Sequence, residues 1–584
     1  MSIPNWIHNR FLALSDQYKT DSFGFEDAVT TLKKRFGDSE DQVKVILSEL
    51  RKGNLVEVAR SEEDSRKKLY KVLTPTEAVA NGKLSRGDID RILKKAADLI
   101  RTRVDYSFIL LLLFYKRFSD QWDVEYKKAY KEAQKDSFTE NEADAEAKKS
   151  AYHKINIPEE YLWENLRKDT QKISENLSLA VKTLADLNPT LKETFQQFDF
   201  SDFIRNPENS EILRQLVELF SSYSLENVSP DVLGDAYEWT LRLFAPQKAK
   251  EGEVYTPREV IQLMVELLDP KDQESVYDPA CGSAGMLIAA YKHVEENKSK
   301  QKADSLFLYG QEQNSKTLAL AKMNLLIHDI TNGILAFGDT LRFPKFKDGE
   351  TIKRFSYVLA NPPWNQDGYA EETLKTGEAW KDRFHFGFPT SQSADWAWVQ
   401  HMYSSLKREG KLAVVLDTGS VSRGSGKTND KEKVIRSKFI DNDLVEAVIL
   451  LPENLFYNTS APGLILVINK VKQEKIKDKI LLINGSLQFE KGKPKNFLKE
   501  EHIKNITKLY QDFEEQAGVS KVITNEQAKE ADYNLSPSRF VSAIKENNHR
   551  PIREIFSHIK KLNLSIDDKD KKLSKIISKL DLKS

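Results

Sequence analysis

The chain has 584 residues, too many for one compact core, and about three or four domains are expected. Its 89 basic and 89 acidic residues cancel, so there is no global electrostatic footprint for nucleic acid, and any DNA contact must come from local patches or partner chains. The single cysteine, Cys281, excludes an internal disulfide and a cysteine-based zinc site; no metal site is expected, and a reducing, cytoplasmic setting is the simplest reading.

The opening "MSIPNWIHNRFLALSDQYK" lacks a basic leader followed by an apolar stretch, so no signal peptide is expected. Residues 1–80 read as a small separate unit. Val43, Ile46, Leu47 and Leu50 recur at helical spacing, and Gly53 follows as a stop signal. Two strands, "LVEVAR" (Leu55 to Arg60) and "LYKVL" (Leu69 to Leu73), are joined by the charged tip "SEEDSRKK". A helix followed by a charged hairpin predicts a winged-helix-like extension. It would contact DNA through Lys44, Arg51, Lys52, Arg66, Lys67 and Lys68, or else bind protein.

Residues 85–245 read as an all-α domain. Its longest apolar run, Phe108 to Phe114, falls far short of the roughly 20 residues of a membrane helix and predicts a buried helix face, with no membrane association. "SPDVLGDAYEWTLRLFA", Ser229 to Ala245, predicts a further helix with Ser229 as N-cap and Pro230 in its first turn.

Residues 246–475 change character. Short apolar runs end at Asp278, Gly310, Phe337, Asn361, Leu416, Leu450 and Asn469, most separated by helical segments. The alternation predicts an α/β domain with a parallel-type sheet, whose ligands would sit at the carboxyl ends of the strands. After the first strand, "DPACGSAGML" offers Asp278 and a small-residue loop, Gly282, Ser283, Ala284 and Gly285, that lets a ligand approach the backbone. The second strand runs into "GQEQN", placing Glu312 where a carboxylate can accept from both hydroxyls of a ribose. "FGDTL" sets Asp339 and Thr340 beside the same crevice, where Asp339 can accept from an adenine amino group. Upstream, "GEVYTPREVI" puts Tyr255, Thr256 and Pro257 ahead of a helix whose free N–H groups can meet a carboxylate. The fourth strand stops at Asn361-Pro362-Pro363-Trp364, where two prolines stiffen the backbone behind a polar amide and ahead of an indole.

This set of segments resembles the S-adenosylmethionine-dependent DNA amino-methyltransferases, and more narrowly the modification subunit of type I restriction–modification enzymes. The matching stretches are "GEVYTPREV", "DPACGSAGML", "GQEQNSKTLALAKMNLLIHDI", "GDTL", "FSYVLANPPW", "LVEAVILLPENLFYNTSAPGLILVINK" and "ADYNLSPSRFV". The resemblance implies a Rossmann-like methyltransferase sheet. It implies contacts to S-adenosylmethionine from Glu253, Val254, Tyr255, Thr256, Pro257, Arg258, Asp278, Gly282, Ser283, Ala284, Gly285, Glu312, Asp339 and Thr340. Asn361, Pro362, Pro363 and Trp364 would form the catalytic loop, with Trp364 standing where the family more often has Phe.

The implied activity is methylation of adenine N6 within a type I restriction–modification complex, protecting host DNA from cleavage. The same loop could hold the N4 amino group of cytosine or a protein glutamine amide, and an intact pocket could also belong to a non-enzymatic subunit. The implied partners are double-stranded DNA, a specificity subunit shared by two modification subunits, and a restriction subunit. "GSGKT", Gly424 to Thr428, lacks the glycine a phosphate loop needs at Val421 and reads as a flexible basic loop near the DNA side. Residues 476–584 are rich in Lys and Glu and read as a helical region for subunit contact. It would end in an amphipathic tail, Ile552 to Leu582, able to pack on its own domain or on a partner helix.

Overall fold

The computed structural model describes the chain except for residues 1–9, 12, 15–16, 19–21, 53–55, 61–67, 73–85, 101–104, 170, 227, 229–232, 235–239, 241–255, 458, 494, 542–551 and 580–584. The helix expected over 229–245 lies mostly outside the described residues, as do Glu253, Val254 and Tyr255.

In the N-terminal unit, Val43, Ile46, Leu47 and Leu50 all face inward from the helix Glu40–Lys52. They meet a preceding helix, Phe25–Phe36, and a three-stranded sheet of β1 (Ser22–Gly24), β2 (Val56–Arg60) and β3 (Lys68–Val72). Strands β2 and β3 form the expected antiparallel hairpin, and β1 caps its edge beside β3. Lys44 and Arg51 are exposed on the helix, and Lys44 pairs with Asp41 at 3.0 Å. The hairpin tip with Arg66 and Lys67, and the side chains of Lys52 and Lys68, lie outside the described residues.

The helical domain is organised by the 29-residue helix Ser107–Lys135. Its first half is buried on every side from Phe108 to Tyr115, as its unbroken apolar run requires. Phe195, Phe200, Phe203, Phe220 and Trp163 close around it. The same core takes in Leu320, Met323 and Ile327 from the helix Ser315–Ile327 of the next domain. From its other side, that helix sends Ala321 and Leu325 into the core flanking the large sheet of that domain.

Among the described residues, the α/β domain is built on a nine-stranded sheet. Its strands are β4 (Ser275–Asp278), β5 (Phe307–Glu312), β6 (Gly333–Phe337), β9 (Phe355–Ala360), β10 (Leu406–Asp417), β11 (Val445–Leu450), β12 (Gly463–Asn469), β13 (Lys479–Asn484) and β14 (Ser520–Thr524), with a small separate hairpin of β7 (Lys347–Asp348) and β8 (Thr351–Ile352). The spatial order is β14-β13-β11-β12-β10-β9-β4-β5-β6. Strands β10, β9, β4, β5 and β6 run parallel, β12 runs antiparallel to both its neighbours, and β13 is parallel to β11. Helices cover both faces, so the central strands are apolar on both sides.

All seven expected strands are present. The region expected to be helical after residue 475 is not wholly so, because β13 and β14 extend the sheet there. Ile480, Leu481, Leu482 and Ile483 are fully buried between β11 and β14, and the lysines around them obscure a run with the composition of a core strand. The tail forms the expected amphipathic helix, Ile552–Lys579.

Candidate functional site

Strand β5 lies on one side of β4 and β9 on the other, so the chain reverses its direction of growth at β4 and leaves a crevice at the carboxyl ends of the strands. Asp278, Glu312 and Asn361 sit at or just past the ends of β4, β5 and β9, and Asp339 follows β6 by two residues. Strand β5 is longer than its apolar run suggested, so Glu312 is its last residue.

After β4 the chain must turn sharply into the helix Gly285–Asn297. Gly282 at φ 51° and Ala284 at φ 66° make that turn, and a left-handed alanine costs on the order of 1 kcal/mol. The loop is held by Cys281 N–H to the Gln311 carbonyl at 3.0 Å, Ala284 N–H to the Cys281 carbonyl at 2.7 Å, and Asn324 Nδ2 to the Ser283 carbonyl at 2.9 Å. Where a Cβ would stand on Gly282 there is open space for 4 Å, so the crevice reaches the backbone itself.

Glu312 closes the loop from the other side. Its Oε2 accepts from Gly282 N–H at 3.0 Å, and its Oε1 from Asn314 N–H at 2.8 Å. Asp278 is buried, and one oxygen accepts from Ala280 N–H at 3.0 Å. Burial, reinforced by the Glu312 charge, pushes its carboxyl up to about 8. Asp339 accepts from the Tyr369 hydroxyl at 3.1 Å and from Arg342 N–H at 3.2 Å. Thr340 is buried, and its hydroxyl donates to the Pro279 carbonyl at 2.6 Å, which ties the ends of β4 and β6 together.

Pro257 caps the helix Arg258–Leu268, which packs on Gly285–Asn297. Thr256 stands just ahead of it and reaches the Asn361–Trp364 loop: Asn361 Nδ2 donates to its hydroxyl oxygen at 2.8 Å. On the other side of the amide, Trp364 Nε1–H donates to Asn361 Oδ1 at 2.9 Å. The indole is half-buried and meets the Phe456 ring edge-on, with centroids 4.8 Å apart. Gly463, the first residue of β12, lies against both rings; a Cβ there would come within 2.8 Å of Phe456 and 2.9 Å of Trp364. The structure thus brings Thr256, Gly282, Glu312, Asp339, Asn361 and Trp364 around one crevice.

Several residues of the site carry no local signal in the sequence. Asn365, at φ 51°, is held by Asp395 Oδ1 on its N–H at 3.0 Å and by Arg423 Nη1 on its side-chain oxygen at 2.9 Å. Arg423 also pairs with Asp417 at 2.7 Å, with Glu432 at 2.6 Å and with the fully buried Asp395. Burial alone would lower the Arg423 guanidinium, but Glu432 and Asp395 outweigh it and raise it above its usual value. Long-range contacts of this kind are legible only once the strands are placed. The "GSGKT" loop differs from its expectation as a flexible basic loop. Asp532 accepts from Gly426 N–H, the Ser425 hydroxyl donates to the Asp532 carbonyl at 3.0 Å, and Lys433 pairs with Asp532 at 3.0 Å, so an internal carboxylate pins the loop to the main body.

Residues 228–549 match the family model described as N-6 DNA Methylase, and residues 89–220 match the HsdM N-terminal domain. The chain is 39% identical over 570 residues to the type I restriction enzyme MjaVIII methylase subunit of Methanocaldococcus jannaschii, covering 95% of both chains. It is 38% identical to the MjaVII methylase subunit of the same organism, over 96% of this chain and 95% of that one. Among solved structures, it is similar to the type I restriction-modification system methyltransferase subunit from Streptococcus thermophilus, with a TM-score of 0.65 at 25% identity over 78% of this chain and 99% of the other.

Proposed function

Since the chain belongs to the N-6 DNA methylase family as a type I restriction enzyme methylase subunit, we propose that Asn361, Pro362, Pro363 and Trp364 form its catalytic loop and that the adjoining crevice holds S-adenosylmethionine. The protein is an adenine-specific DNA methyltransferase of a restriction–modification system.

The crevice suits that cofactor. Glu312, fixed by two backbone N–H groups, presents a carboxylate at the end of β5 that suits the two ribose hydroxyls. Asp339 offers an acceptor for the adenine amino group. Gly282 leaves open space at the backbone, and the positive dipole end of the helix Arg258–Leu268, behind Thr256 and Pro257, suits a carboxylate, with Glu253, Val254 and Tyr255 just upstream in the chain. Asp278, Ser283, Ala284, Gly285 and Thr340 complete the wall. Bound there, the cofactor supplies an electrophilic methyl group on a sulfonium.

The chain's own part is to prepare the nucleophile. The lone pair of adenine N6 is delocalised into the ring. With Asn361 Oδ1 and the Pro362 carbonyl both accepting from the amino group, the nitrogen is drawn towards tetrahedral geometry and its lone pair is freed for in-line attack. The methyl group that the cofactor would supply could then pass to N6, and the amino group would lose one proton to solvent. The two prolines fix the carbonyl before the base arrives, so no loop ordering is needed at the barrier. Trp364 supplies a face for a base flipped out of the duplex.

The observation that carries this reading is the Asn361 amide, placed at the end of β9 between the helix start and the indole. Asn361→Ala tests it: calorimetry should show cofactor binding retained, and nucleoside mass spectrometry of treated DNA should show N6-methyladenine abolished. Near-normal turnover would overturn the assignment.

The chain acts on DNA alongside the other subunits of its system. Among the described residues no helix is long and apolar enough to cross a membrane. The proposed assembly places two copies of the chain on one specificity subunit, with a restriction subunit joining them in the cytoplasm. The helix Ile552–Lys579 supports a docking role, since Ile555, Phe556, Ile559, Leu562, Leu573 and Ile576 are all exposed on it. The exposed Lys44 and Arg51 of the winged-helix-like unit suit contact with duplex DNA.

A further inference from the structure

An amide that must present oxygen rather than nitrogen to the base needs something to set its orientation, because the two ends of a carboxamide have nearly the same shape. Thr256 cannot do it alone, since a hydroxyl both donates and accepts. The indole N–H of Trp364 only donates. The atom facing it at 2.9 Å is therefore oxygen, and the Nδ2 end is left to Thr256 at 2.8 Å.

From this geometry we infer that Trp364 and Thr256 are positioning residues that lock the Asn361 carboxamide with Oδ1 as acceptor. The inference rests on the reading of Asn361 as the group that accepts from the base.

Lone pairs decide the matter. Oδ1 has two; the indole takes one and leaves one for the base amino group. With the amide reversed, Nδ2–H would face the indole N–H, donor against donor, and the base would meet the Pro362 carbonyl alone. The indole is itself held in place. Its six-membered ring sits against the Phe456 ring and the bare backbone of Gly463, where any side chain would collide. Asn361 is 6% exposed, so water cannot readily replace either bond. A phenylalanine at 364 would keep an aromatic face and lose the orientation. Trp364 thus has a second task beside stacking, and Thr256 links the start of the cofactor-side helix to the reacting end of the loop.

The test uses the assembled enzyme on its DNA under single turnover. In Trp364→benzothienylalanine, sulfur replaces the N–H while ring shape and stacking area are kept. Methyl transfer should slow about five-fold, the factor expected for one lost hydrogen bond, with the DNA KM and the cofactor Kd unchanged. Thr256→Val should slow the same step to a similar degree, and Thr256→Ser, which keeps the hydroxyl, should restore it. A wild-type rate in the benzothienyl variant overturns the inference, and so does Thr256→Ser as slow as Thr256→Val. Asn361→Ala is measured alongside; activity retained there would instead remove the catalytic-loop reading beneath it.

Discussion

Glu312→Gln is a one-atom change with two separable consequences. Both carboxylate oxygens are already engaged, by Gly282 N–H at 3.0 Å and Asn314 N–H at 2.8 Å. Whichever way the new amide turns, its NH2 faces one of those donors. One partly buried backbone N–H then loses its acceptor, at about 1–3 kcal/mol of stability. On the ligand side, one ribose acceptor disappears and the other is neutral. A hydrogen bond to a charged group is worth about 1.5–3 kcal/mol, so S-adenosylmethionine should bind about ten- to one-hundred-fold more weakly. Calorimetric titration of the full chain gives the second quantity, and thermal unfolding without ligand gives the first. A lowered melting temperature with unchanged cofactor affinity would refute the ribose assignment and leave Glu312 as a staple for the loop alone.

Asp278 carries a pH signature. Its folded value, about 8, lies above its ordinary 3.8, so between those values the folded chain holds a proton that the unfolded chain has released. Stability should therefore fall as pH rises from about 4 to about 8 and level off beyond, and Asp278→Asn should flatten that slope in urea titrations across the range. Gly463→Ala should crowd Trp364 and Phe456, costing about 1–3 kcal/mol by chemical denaturation and slowing methyl transfer; an unperturbed indole fluorescence and rate would show that the seat is not tight. Truncation after Val541, which keeps that buried residue and the hydrogen bond its carbonyl accepts from Asn484, should leave cofactor affinity intact and abolish co-purification with the specificity subunit; an undisturbed complex would place the docking surface elsewhere.

The sequence carried the sheet well where strands are buried on both faces, because such strands read as unbroken apolar runs: Tyr277, Leu359, Val448 and Ile465 all sit in runs of this kind. It carried the crevice as a series of residues at strand ends, which topology then gathers. Strand β14 was invisible because it is a short edge strand with lysine and threonine among its five residues. The links from Thr256 to Asn361 and from Arg423 to Asn365 span 105 and 58 residues, and no local pattern announces them. Nothing local in the sequence marks Gly463, since its requirement comes from two rings belonging to other segments.

The helix Ser315–Ile327 has a double allegiance. Leu320, Met323 and Ile327 belong to the interior of the helical domain, while Ala321 and Leu325 belong to the flank of the sheet. A wall shared by two rooms cannot be assigned to either, and removing one room exposes it. Cutting the chain between the two domains would therefore bare a greasy stripe on the catalytic fragment and invite self-association. The shared wall also begins three residues beyond Glu312. Any tilt of the helical domain against the sheet would be delivered, with little slack, to the Glu312 carboxylate proposed to hold the ribose.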